Sequence, residues 1–99
     1  MKWFVFSVYD QASNVHDKPF VARSEGEAVR MFRDACKDEN TVLGNHPEDF
    51  MLKELGMYDD NEGLLLPLEM SRKVVTGHGA IGPEESVGFL VAEEEDSNA

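Results

Sequence analysis

Residues 24–38, SEGEAVRMFRDACKD, are the one segment of this chain with a clear helical period. Ala28, Val29, Met31, Phe32, Ala35 and Cys36 recur at i, i+3, i+4, i+7 and i+8 spacing, which gathers them on one helix face. The start of the helix is marked too. Ser24 is placed to accept from the backbone N–H of Glu27, and Glu27 to reach back to the N–H of Ser24, a reciprocal cap for donors that a helix end leaves free. Every other apolar run is short and strand-like. The expected fold is therefore α+β: a small antiparallel sheet of three to four strands packed on a single helix, with a loose acidic C-terminal tail. The expected organisation is a compact sheet-plus-helix domain over residues 1–68, a poorly defined linker with a late strand over 69–92, and a disordered acidic tail over 93–99.

Residues 2–9, KWFVFSVY, are β-branched and aromatic and read as a strand. Both faces are largely apolar, so the strand is expected at the centre of the sheet. Alternation assigns Phe4, Phe6 and Val8 to the helix-packed core and Trp3, Val5 and Tyr9 to the other face. That second face needs its own cover: a partner subunit in a homodimer, the C-terminal segment, or a nucleic-acid base. A polar loop follows over 10–18, then a short extended piece, FVAR, over 20–23. Residues 50–58 read as another strand, weakened at its far end by Gly56. The turn-rich DDNEG at 59–63 predicts a hairpin with Gly63 at positive φ. LLLPL at 64–68 is the return strand, and Pro67 puts it at a sheet edge or ends it. GHGAIG at 77–82 reads as a flexible linker, and VGFLVA at 87–92 as a weak late strand.

The net charge of −11 argues against a uniformly basic nucleic-acid binder, because phosphate needs a positive surface. Without Glu93, Glu94, Glu95 and Asp96 the rest still carries −7, so any DNA contact must use a localised basic or aromatic patch. No apolar run approaches the roughly 20 residues that span a bilayer. The opening run is too short for a signal peptide and meets Asp10 with no small-residue cleavage site. The one cysteine, Cys36, excludes an internal disulfide, fits a reducing cytosol, and is expected buried and inert.

His16, His46 and His78 are far apart in sequence, with no metal-ligand spacing, so no metal and no cofactor is expected. The HPED run at 46–49 sets an imidazole beside two carboxylates but is explained as a turn before a strand. Asp59, Asp60 and Glu62 lack the full calcium-loop pattern, and the glycines at 77–82 lack the ending of a phosphate loop. No catalytic residues are proposed, and a non-enzymatic protein is expected. The positive features are basic and aromatic. Arg30, Arg33 and Lys37 fall at i, i+3 and i+7 on the helix side away from the core, with Arg23 just before it, a stripe suited to phosphates. Asp34 lies i+4 from Arg30 and i−3 from Lys37, so the same stripe is also explained by surface ion pairs. Trp3 and Tyr9 suit stacking of single-stranded bases, and equally suit a core or dimer contact.

Three stretches carry a family resemblance: FVFSVYDQ (4–11), KPFVARSEGEAVRMF (18–32) and HPEDFMLKELGMYDDNEG (46–63). They supply Val8-Tyr9-Asp10, then Pro19-Phe20, Ala22-Arg23, Gly26-Glu27-Ala28, Arg30 and Phe32, then His46-Pro47-Glu48-Asp49-Phe50, Leu52, Gly56, Tyr58-Asp59-Asp60 and Gly63. In that order the chain resembles the small non-structural protein of gokushovirus-type microviruses, tailless phages with single-stranded DNA genomes. The resemblance implies a protein outside the capsid shell, in the host bacterial cytoplasm, and brings no catalytic residues with it. It implies a non-enzymatic accessory role in genome replication, contacting single-stranded DNA or a replication protein during the switch to single-strand synthesis. The alternative from another class is an acidic protein–protein module, or a DNA mimic, that binds a basic host or phage protein.

Overall fold

A computed structural model of the chain describes residues 1–82. The late strand expected at 87–92 and the acidic tail at 93–99 lie outside the described residues. In chain order the elements are β1 (Lys2–Asp10), β2 (Val15–His16), β3 (Phe20–Ala22), α1 (Glu25–Cys36), α2 (Val42–Asn45), a 3₁₀ turn (Pro47–Asp49), β4 (Phe50–Asp59), β5 (Leu64–Thr76) and α3 (Gly77–Ile81).

The fold is α+β, as expected, and its sheet is antiparallel throughout. The strand order is β2-β1-β4-β5, with β3 also paired to β1. β1 is central: it runs along β4 from Lys2↔Asp59 to Asp10↔Phe50, while β3 and β2 share its other edge at Phe4–Phe6 and Tyr9–Asp10. The hairpin from β4 to β5 turns at the expected place, with Gly63 at φ +66°.

The expected strand count and the single helix are both corrected. The sheet has five strands rather than three to four. The polar loop doubles back through Asn14, at φ 59°, so that Val15 and His16 pair with β1. The helix is also not alone. Residues 77–81, expected as a flexible linker, form α3, capped by Thr76, whose hydroxyl accepts from the Gly79 N–H at 3.0 Å. α3 packs on α1 and buries Ala80 in the same core.

β5 does not end at Pro67, and residues 69–76, expected in the linker, complete it. An edge strand tolerates the missing donor of proline. Between the pairs Gly56↔Pro67 and Glu54↔Arg72, residues 68–71 bulge out opposite Leu55 alone. β4 and β5 are close at this point: a Cβ on Gly56 would lie 2.5 Å from the Leu66 carbonyl oxygen, so glycine is required there.

The core lies on one side of the sheet. Ala28, Val29, Phe32 and Cys36 of α1 pack onto Phe6, Leu52, Ala22 and Val75, with Phe4 and Val8 half-buried beside them. Phe20 stacks on Phe6 at 5.9 Å between ring centroids. Met31 and Ala35, expected on the apolar face, are exposed at its margins, because one sheet face is narrower than the apolar stripe. Ser24 caps α1 as expected, accepting from Glu27 N–H at 3.1 Å. Glu27, however, reaches one residue further back, accepting from Arg23 N–H at 2.7 Å. Arg72 binds α1 to the sheet: its guanidinium donates to Glu54 on β4 at 2.7 and 3.0 Å and to Glu25 in the first turn of α1 at 2.5 Å.

The helix cap and the buried thiol are both open to measurement. Ser24→Ala should lower unfolding free energy by about 1 kcal/mol in a urea titration, the usual worth of an N-cap. Cys36 is 2% exposed, and burial pushes its thiol up to about 11. A thiol reagent such as DTNB should therefore react with the native chain far more slowly than with the urea-unfolded chain.

Candidate nucleic-acid interface

Residues that alternate away from the core form the second face of the sheet. On β1 these are Trp3, Val5, Ser7 and Tyr9; register brings Tyr58, Lys53 and Met51 of β4 beside Trp3, Ser7 and Tyr9. Val5 and Met51 are buried although neither belongs to the helix-side core, and Ser7 is fully buried, its hydroxyl donating to the Asp17 carbonyl at 2.7 Å. The chain leading from β2 into β3 thus supplies part of the cover this face needs. Beside Val5 an open apolar groove of about 300 Å³ is lined by Pro19, Leu55, Leu65 and Pro67 among others.

Around that apolar centre, the Trp3 and Tyr9 rings each have a cation. The Arg23 guanidinium stands 5.7 Å from the Trp3 ring centroid, and the Lys53 ammonium 4.9 Å from that of Tyr9. Trp3 Nε1 donates to Asp60 at 3.0 Å. The N-terminal ammonium at 2.6 Å and the Trp3 indole hold the Asp60 carboxyl below the usual carboxylate range. Tyr9 is fixed by its hydroxyl, which donates to Asn14, and by the His16 ring at 4.5 Å.

Lys73 of β5 lies directly across from Lys53 on the same face. Like charges in a direct cross-strand pair are destabilising. Sequence spacing does not show this pair, because the register shift between Leu52 and Lys53 sets which β5 residue faces Lys53.

The six residues proposed from sequence therefore fall into two groups. Trp3, Tyr9 and Arg23 share the second face, Arg23 lying over Trp3. Arg30, Arg33 and Lys37 belong to α1, which packs on the opposite side; Arg30 and Lys37 are exposed and Arg33 is half-buried. One ligand strand would not engage both groups without wrapping an edge of the sheet. Among the described residues, no helix is long and apolar enough to cross a membrane.

Comparison with known proteins bears on the whole of this region. No solved structure matches the chain. Protein ORF5 of Chlamydia phage 1 is 29% identical over 73 residues, which cover 70% of this chain and 76% of that one. A family model described as Phage ORF5 protein matches residues 3–80, from the first aromatic of β1 into α3. The microvirus resemblance is borne out, and the chain belongs to the Phage ORF5 protein family.

Proposed function

We propose that this phage accessory protein is non-enzymatic, acts in genome replication, and contacts single-stranded DNA through the second face of its sheet. The observation that carries the reading is the grouping of Arg23, Lys53 and Lys73 around Trp3 and Tyr9 on a chain of net charge −11. Single-strand binders combine a cationic track for the backbone with aromatic rings for the bases.

The energetics favour an exchange. An exposed cation–π contact is worth about 0.5–1 kcal/mol. A base stacked on an aromatic ring is worth about 1–3 kcal/mol. A base that displaces Arg23 from Trp3, or Lys53 from Tyr9, gains more than it breaks. The freed cation is then available to a phosphate, and phosphate between Lys53 and Lys73 relieves their repulsion. The acidic remainder limits affinity, and the three cations set a moderate salt dependence.

A second reading, a protein–protein module, is favoured by one observation. Leu64, Leu65, Leu66, Leu68 and Met70 of β5 are all at least 40% exposed. Docking through these leucines would be apolar and nearly independent of salt.

The test is fluorescence anisotropy of a labelled single-stranded oligonucleotide, titrated across a range of salt concentrations. Saturable binding is expected, with log K falling against log salt at a slope of about −2, since each phosphate contact on a single strand contributes about −0.7. Lys53→Gln with Lys73→Gln should bring the slope to about −0.7. Trp3→Ala should weaken binding about tenfold or more at constant salt. Arg30→Glu with Arg33→Glu should change affinity less than the lysine pair does. Absence of binding at low salt would exclude the DNA reading and leave the apolar β5 surface as the point of contact with a protein.

A further inference from the structure

Where the 3₁₀ turn enters β4 and α3 leaves β5, the fold gathers His46, Glu48, Asp49 and His78. His46, Glu48 and Asp49 each offer a ligand atom, and these three atoms lie within 4.8 Å of one another. His78 arrives from the other end of the β4–β5 hairpin, with its Nε2 4.0 Å from Glu48 Oε1. His46 Nδ1 is 3.7 Å from Glu48 Oε2. The Glu48 carboxylate thus stands between two imidazoles, with one oxygen toward each.

The backbone holds this arrangement. His46 N–H donates to the Val42 carbonyl at 2.9 Å, Asp49 N–H to the His46 carbonyl at 3.0 Å, and Gln11 N–H to the Asp49 carbonyl at 2.8 Å. On the other side, Gly77 lies against Pro47: a Cβ there would sit 2.0 Å from the Pro47 carbonyl oxygen. Only glycine allows that approach, and the approach places His78 beside Glu48. None of these residues belongs to the second face of the sheet, so the cluster is independent of DNA binding there.

We propose that His46, Glu48, Asp49 and His78 form a binding site for a divalent transition metal ion of the zinc type. Zinc takes imidazole nitrogen and carboxylate oxygen at about 2.0–2.2 Å. Tetrahedral ligand atoms are then about 3.3 Å apart. The ligand atoms of His46, Glu48 and Asp49 need to close by at most about 1.5 Å, and His78 needs to close on Glu48 by about 0.7 Å, within reach of side-chain rotation on the surface. Imidazole donors select zinc, nickel or copper over calcium and magnesium, which prefer oxygen alone. The two carboxylates neutralise the ion, and the ion removes the repulsion between Glu48 and Asp49. A bound metal would staple the entry of β4 to the exit of β5. Cys36 does not compete, being buried with its thiol pushed up to about 11.

The test is calorimetric titration of the full chain with zinc chloride, paired with cobalt absorption spectroscopy. One equivalent of Zn²⁺ is expected to bind with micromolar or tighter Kd, insensitive to excess Ca²⁺, and Co²⁺ should give a visible d–d band. His46→Ala and His78→Ala should each weaken Zn²⁺ binding by at least about tenfold, whereas His16→Ala should leave it unchanged. Both ligand histidines are exposed, so the metal-free melting temperature of the variants should match that of the parent chain. Zinc at the same saturating concentration should raise the melting temperature of the parent more than that of His78→Ala. Equal zinc affinity in His78→Ala and the parent chain, competition by Ca²⁺ at similar concentration, or no zinc uptake would each overturn the proposal. The second result would assign uptake to the abundant surface carboxylates.

Discussion

The packing of α1 against a single face of the sheet is the constraint on which the rest depends. Phe6, Leu52 and Phe32 are at most 2% exposed and meet between the two layers. Losing any of them would leave a cavity costing about 2–5 kcal/mol, a large share of the stability of a domain this size. Arg72 sets the orientation of the layers by joining Glu25 of α1 to Glu54 of the sheet. These ion pairs are partly exposed, so they add little energy and act mainly on geometry. A chain of 99 residues builds one such core, and among the described residues no helix layer covers the reverse of the sheet.

That reverse side shows a conflict between charge and stability. A chain with twenty acidic and nine basic residues has ample anions to separate two lysines, yet Lys53 and Lys73 face each other directly. Arg23 and Lys53 cover rings instead of carboxylates. Breaks in such local pairing rules are expected at functional or strained sites. On the helix side, Glu25 and Glu54 bind Arg72, so charge there serves the fold.

The two halves of β5 have different surroundings. Its first half exposes leucines, a hazard for edge-to-edge association, and it carries the devices that limit such pairing: Pro67, which has no donor, and the bulge at 68–71, which breaks the ladder. Its second half returns to the core at Val75 and delivers Gly77 and His78 to the 3₁₀ turn. Its first half and its second half therefore set, respectively, an exposed apolar surface and the position of a histidine.

The sequence by itself determined α1 and its Ser24 cap, the central place of β1, the β4–β5 turn at Gly63, and the division of Phe4, Phe6 and Val8 from Trp3, Val5 and Tyr9. All of these arise from periodicity or from short-range chemistry, which neighbouring residues carry between them. The family was legible too, because its motifs are runs of consecutive residues. The two-residue strand at Val15–His16 and the short helix α3 were not: too few residues are involved for a period to show, and each is held by a distant partner. The Lys53–Lys73 pair depends on a register shift, and the approach of His78 to Glu48 depends on Gly77 meeting Pro47. Such juxtapositions belong to tertiary structure because chain closure, not local preference, brings their members together.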